Sequence, residues 1–343
     1  MGFFGGTTVR VLSIDGGGIR GLIAALVLVE LRRRLRSRGE SRHFSRLFDL
    51  IAGTSTGALV ALGLAVPGSG SNGARYSGEP AFEIDDIAEL YACRGPDIFP
   101  RHKFESLRAV AQAFGDKYDA RNLYRVLTEL FGDVTIQDSL TNVLVTSYDT
   151  ESMEPFIIKK RPQKRGKPAD LNFYMRDAAR ASSAAPTYFE PAFISPLPEN
   201  GRRYCLVDGG VFANNPAMCA YVEARKIFPK AARYVIVSIG TGRTKTSFPY
   251  PEIRGWGFVD WIRPSKGTPL AMIMGSGQSE SANHQLSRLP SVQYFRIDGF
   301  LDPGTDHIDD ASAENIRYMR DVAARIVHEQ SALLDTICTA VSE

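Results

Sequence analysis

Leu50-Ile51-Ala52-Gly53-Thr54-Ser55-Thr56-Gly57 is the stretch from which the rest of the chain can be read. It ends an apolar run (Leu47, Phe48, Leu50, Ile51) with Gly-x-Ser-x-Gly, and a helical pattern of small residues, 58–64, follows at once. A buried strand, a sharp turn and a helix in that order build a nucleophile elbow. Two glycines permit the strained turn that projects a Ser hydroxyl from the sheet. Ser55 is therefore the candidate nucleophile, with Gly53 and Gly57 shaping its turn.

The segment before the elbow repeats the pattern. Residues 8–14 are rich in β-branched side chains and predict the first strand, which ends in Asp15-Gly16-Gly17-Gly18-Ile19-Arg20-Gly21. A helix follows, with Leu22, Leu26 and Val29 on one face. Gly16-x-Gly18-x-x-Gly21 fits the dinucleotide fingerprint in letters and context. That reading needs an acidic residue closing a second strand about 20 residues on. Glu40 has the spacing but lies in an Arg-rich stretch, not in a buried strand. The alternative is a helix N-terminus whose bare N–H groups hold a negative charge. Beside a Ser nucleophile, that charge would be an oxyanion.

Downstream, residues 66–83 are Gly- and Ser-rich and read as a loop, either a lid or a surface insertion. A helical pattern over 84–131 is interrupted at Gly95-Pro96 and Gly115. Residues 142–148 and 155–158 predict two adjacent strands. A helix from about Tyr174 carries Ala178, Ala179, Ala181, Ser182 and Ala184, small residues that predict close packing. The strand Arg202–Val207 ends in Asp208-Gly209-Gly210, and Asn214-Asn215-Pro216 caps the next helix. The strand 234–239 closes on Gly240-Thr241-Gly242. Beyond the irregular residues 243–266 come a helix over 269–286, a strand over 292–297 and a last helix over about 311–334. This alternation predicts one α/β domain across 1–343 with a largely parallel sheet, its core about 8–300.

Composition narrows the function classes. The 343 residues are 44% hydrophobic and 23% charged, enough for a large core, and the net charge of +3 argues against a nucleic-acid binder. Arg32–Arg46 reads as a solvated helix end, with membrane or anionic-ligand contact as the alternative. Lys159–Lys167 holds six cations in nine residues and reads as a solvated hairpin or as a phosphate contact. The four cysteines are scattered without metal-ligand spacing, so reduced thiols, an intracellular location and no bound metal are expected. The first residues lack the charged and apolar regions of a secretory signal, and Gly6 stands where a myristoylation pattern needs Ser or Thr. Residues 51–67 are uncharged but interrupted by Gly and hydroxyl residues, which suits a buried strand-turn-helix better than a membrane span.

Three glycine-marked turns now stand at strand ends: Asp15–Gly21, Gly53–Gly57 and Asp208–Gly210. Ligands of a parallel sheet sit beyond the carboxyl ends of its strands, so the three turns converge on one crevice. Ser55 is then the nucleophile, Asp208 the base, and the N–H groups of Gly16, Gly17 and Gly18 the oxyanion donors. A conventional triad would draw on His284, His307 or His328, which follow Asp208 in the chain. None of them closes a clear strand, and His284 and His328 fall inside predicted helices. His43 and His102 lie in polar contexts without an evident partner.

With Ala185-Pro186-Thr187-Tyr188-Phe189 and Asn214-Asn215-Pro216 added, five stretches in this order resemble the patatin-like phospholipases over about residues 8–300. The resemblance implies a three-layer α/β fold and a Ser55–Asp208 dyad without histidine. It implies an acyl-enzyme, a glycine-loop oxyanion hole that Arg20 and Gly21 help to position, and no metal or cofactor. The substrate would be a phospholipid or another acyl lipid, met by a cytoplasmic protein at the membrane surface.

A narrower resemblance rests on the compact length, on Gln278-Ser279-x-x-x-Asn283-His284-Gln285-Leu286 and on the C-terminal helix. It is to bacterial antiphage effectors of the patatin class. That branch implies activation by a cyclic dinucleotide, with the two basic stretches as its candidate sites, and a homo-oligomer is a further expectation. The competing readings are a constitutive housekeeping or secreted-effector lipase and, from another class, a non-enzymatic nucleotide- or lipid-binding module.

Overall fold

The computed structural model describes residues 7–70, 75–99, 117–161, 171–199, 201–263, 268–302, 305 and 307–343. Their centre is a sheet of eight strands. Strands β1 (Thr8–Ile14), β2 (Leu50–Thr54), β5 (Asn142–Asp149), β9 (Arg233–Ile239) and β10 (Val292–Ile297) run parallel in the order β10-β9-β1-β2-β5. Beyond β5 the sheet turns antiparallel through β8 (Tyr204–Asp208) and β7 (Ala192–Ile194), and β6 (Glu154–Lys159) also pairs antiparallel with β5. Strands β3 (Pro67–Ser69) and β4 (Tyr76–Pro80) form a separate small hairpin within the stretch read as a loop, of which residues 71–74 lie outside the described residues.

Alternation along the strands explains the three layers. Val9 and Val11 of β1, with Leu50 and Ala52 of β2, face a helix over Ala217–Ile227. Leu12, Ile14 and Ile51 face the opposite way, into a cluster with the helix Gly21–Ser37 and the helices Ala313–Glu329 and Ser331–Ser342. Successive strand side chains point to opposite faces, so a sheet covered on both sides needs apolar residues at both parities. The nearly unbroken apolar runs of β1, β2 and β9 supply them.

The structure corrects four expectations. Pro96 does not break its helix, which runs Ile84–Ile98 with Pro96 inside it. The interruption expected at Gly115 lies outside the described residues. The last helix is two, divided at Gln330, and both pack into the core rather than follow it. The irregular stretch holds short helices at Tyr250–Ile253 and Phe258–Ile262.

The fourth correction concerns part of the arginine cluster: Arg33, Arg36, Arg38, Arg42 and Arg46 are exposed as expected, but Arg32 and Arg34 are turned inward. Arg32 is buried, and its guanidinium donates to the carbonyls of Ser41 (2.9 Å) and Arg42 (2.7 Å). Arg34 reaches the Ser331 carbonyl at 2.8 Å, and Arg38 the Asp335 carboxylate at 2.7 Å. These cations fasten the loop after their own helix and the final helix.

Candidate active site

Backbone geometry places Ser55 first. It adopts φ 54°, ψ −122° between β2 and the helix Thr56–Ala65, a strained conformation for a non-glycine residue. The surroundings hold that strain in place. Its N–H donates to Ser182 Oγ at 2.8 Å, and the Ser182 hydroxyl in turn donates to the Thr146 carbonyl at 2.7 Å. Gly57 is a glycine for lack of room, since a Cβ there would collide with the carbonyl of Ile14 at the end of β1. The two chain reversals are thus packed directly against each other.

Asp208 reaches Ser55 by an unexpected route. Its strand runs against the parallel strands, so the rule about carboxyl ends does not bring it here by itself. β8 pairs only with the last residues of β5, Ser147 with Asp208 through Asp149 with Leu206. β2 pairs with β5 only as far as Thr54 with Thr146. Asp208 therefore finishes one residue beyond the level of Thr54, beside the elbow. Its carboxylate accepts a hydrogen bond from the Gly210 N–H at 2.7 Å, and the Ser55 side chain lies close enough to favour its charged form. Burial pushes its pKa from 3.8 up to about 6, against the pull of Ser55 and Gly210.

The glycine loop forms the third side. Gly16 corrects the sequence reading: its N–H donates to the Asn214 carbonyl at 3.0 Å and cannot also serve an oxyanion. Its carbonyl accepts from the Thr241 hydroxyl at 2.7 Å. The N–H groups of Gly17 and Gly18 donate to no protein acceptor among the described residues, and both glycines line the cavity at Ser55. Gly18 has φ 59°, and a Cβ on it would strike the Ile308 carbonyl. Arg20 Nε donates to the Gly17 carbonyl at 3.4 Å, which fits its expected positioning role, and Gly21 opens the helix behind the loop.

Behind the loop, Arg296 grips Asp15 in a two-pronged pair at 2.6 and 2.8 Å and also reaches Asp298 at 3.0 Å. Burial works against the Arg296 charge, but the two carboxylates outweigh it and raise its pKa. This buried pair anchors the first residue of the loop to a strand two positions away in the sheet. Sequence reasoning missed Arg296, Thr241 and Ser182 as loop and elbow supports. Thr241 did carry a signal, because its Gly-x-Gly turn ends a strand next to β1.

A cavity of about 550 Å³ opens onto Ser55 and Asp208. Leu59, Leu90, Ile98, Phe99, Leu123 and Phe189 form much of its wall, which makes the space beside the nucleophile predominantly apolar. No described histidine lines it. His284, His307 and His328 are exposed, and buried His43 contacts Ser45 and the Phe82 carbonyl; His102 lies outside the described residues. No group of three or more His, Cys, Asp or Glu residues is placed to hold a metal among the described residues. The Gln278…Asn283 pattern has a packing role: Gln278 donates to the Val211 carbonyl (2.8 Å), and Asn283 accepts from Asn215 (3.1 Å).

Such a site can take the proton of the cavity-lining Ser55 hydroxyl, present two N–H groups to a developing oxyanion and hold a long apolar chain. Comparison with known proteins gives the family to which the chain is similar. Residues 12–221 match the patatin-like phospholipase family. The chain is 33% identical to "Patatin-like protein 2" of Arabidopsis thaliana over 91% of its length and 81% of that protein's. It is 31% identical to "Patatin-like protein 1" of Oryza sativa subsp. indica, covering 95% of this chain and 82% of that one. It is 29% identical to "Patatin-T5" of Solanum tuberosum, covering 92% of this chain and 83% of that one.

Proposed function

The chain belongs to the patatin-like phospholipase family, whose members are lipid acyl hydrolases, and on that premise we propose that it cleaves fatty-acyl esters of phospholipids through Ser55 and Asp208. The observation that carries this reading is the placement of Ser55 and the buried Asp208 carboxylate side by side on one predominantly apolar cavity, which no histidine lines among the described residues. In the proposed reaction, Asp208 accepts the Ser55 proton as Oγ attacks the ester carbonyl. The N–H groups of Gly17 and Gly18 steady the tetrahedral oxyanion. Its collapse breaks the ester bond, and Asp208 returns the proton to the departing alkoxide. Water, activated by Asp208, then frees the fatty acid and restores Ser55.

A cyclic-dinucleotide activator and a role in antiphage defence remain a narrower reading of the same enzyme. Arg32, Arg34 and Arg38 are committed to internal partners, as are Lys159, to Glu223, and Lys160, to the Ser139 carbonyl. Residues 162–167 of the second basic stretch lie outside the described residues.

One experiment separates these readings: fatty-acid release from mixed phospholipid vesicles by the intact protein and by Ser55→Ala, each with and without a panel of cyclic dinucleotides. Release that requires Ser55 is expected. Dependence on one nucleotide would establish the regulated effector, indifference to all of them a constitutive hydrolase, and equal release by Ser55→Ala would refute the mechanism.

A further inference from the structure

Both tryptophans of the chain, Trp256 and Trp261, lie in one short segment. Their rings meet edge-on at 5.2 Å, and Trp256 meets Phe248 at 5.8 Å. Around this aromatic knot large apolar side chains stand in solvent: Phe258 is 77% exposed, Tyr250 70%, Val259 58% and Met274 56%. Ile262, Leu270 and Ile273 are exposed as well. Single exposed apolar residues are ordinary on a protein, but a concentration of them marks a contact surface. The helix Phe258–Ile262 packs against the helix Pro269–Leu286, so the exposed residues belong to neighbouring elements.

The longer helix also builds the cavity mouth. Ala271, Met274, Gly275 and Gln278 fall on one helical stripe and line the cavity. Met274 belongs to both surfaces, being exposed to solvent and part of the cavity wall. Apolar surface therefore leads from solvent into the space that holds Ser55.

Three observations choose the occupant. Trp rings with an apolar body and one polar N–H suit the boundary between lipid and water. Exposed Arg254 and Arg263 flank the apolar residues and can extend to headgroup phosphates while their stems stay among apolar groups. The apolar cavity beside the nucleophile opens on this same helix. We infer that the face formed by residues 250–263 and the start of the following helix docks on a phospholipid bilayer and delivers acyl chains to the cavity. The inference rests on the acyl-hydrolase reading for its purpose, but docking itself is measurable without turnover.

The test uses the full chain carrying Ser55→Ala, mixed with phosphatidylcholine vesicles with and without phosphatidylglycerol, and reads sedimentation and tryptophan emission. Emission should shift to the blue on vesicles, since both tryptophans sit in the proposed face. Phe258→Asp combined with Val259→Asp should lower vesicle partitioning roughly tenfold or more. The same pair in the Ser55-intact protein should leave hydrolysis of a soluble short-chain ester unchanged, which also shows that the variant folds. Ile273→Asp, on the neighbouring helix, should weaken partitioning independently. Unaltered partitioning in these variants, or emission that ignores vesicles, overturns the docking face. A concentration-dependent dimer broken by the same substitutions, with no vesicle binding, assigns the face to a second copy and overturns it too. Absence of soluble-ester hydrolysis in the parent would refute the catalytic reading alone, and partitioning would still decide the face.

Discussion

At Asp208 burial and function pull in opposite directions. The carboxyl is pushed up to about 6 because burial disfavours its charge, yet a base must be charged to accept the Ser55 proton. Activity should therefore rise with pH through about 6 along a single-proton limb, read as kcat/KM for a soluble ester. Stability moves the other way. A carboxyl whose folded pKa lies above its unfolded value contributes stability that is complete below about 3.8 and lost as pH climbs through about 6. That difference of roughly two pKa units corresponds to about 3 kcal/mol, as an order of magnitude. Asp208→Asn should thus be inactive yet no less stable than the parent at neutral pH, and more stable by up to about 3 kcal/mol in chemical denaturation. An acid limb preserved in the Asn variant would move the base elsewhere. Ser55 and Asp208 were legible from their glycine turns. The competition at Asp208 was not, because it depends on burial that only the packed fold creates.

Elements decide how accurately those two residues meet. The elbow is held by Ser182, which accepts from the Ser55 N–H and donates to Thr146. Ser182→Ala leaves that N–H unpaired and loosens the turn. It should lower kcat roughly tenfold to a hundredfold with little change in KM, and cost about 1–2 kcal/mol of stability. Equal losses in both constants would mean that Ser182 shapes the cavity instead. The small residues around Ser182 announced close packing but not its purpose, since alanines and serines look alike to any hydrophobic pattern. Gly16 teaches the same lesson: the run of three glycines offered three donors, and one is taken by Asn214, about 200 residues away in the chain. Long-range partners leave no local trace.

Across the whole molecule, the order of the main strands and helices was readable because β1, β2, β8, β9 and the strand Val292–Ile297 are short apolar runs closed by glycine turns. The direction of β8 was not, since nothing local separates a parallel strand from an antiparallel one at the edge of such a sheet. The C-terminal helices were also misjudged. Leu334, Ile337, Cys338 and Val341 are fully buried in the same core as the helix behind the glycine loop. Burying each aliphatic side chain contributes about 1.5–3 kcal/mol, and a whole domain is stable by only about 5–15 kcal/mol. A chain ending at Gln330 should therefore lose its cooperative thermal transition, and a normal transition in that truncation would show that the final helix is dispensable.

In the proposed reaction Ser55 carries the acyl group and Asp208 moves its proton. Intact-mass and peptide mass spectrometry after rapid acid quenching of a reaction with a slowly deacylating ester tests it most directly. One acyl adduct per chain is expected, located on Ser55, absent from Ser55→Ala and strongly reduced in Asp208→Asn. An adduct on another residue, or full acylation without Asp208, would contradict it.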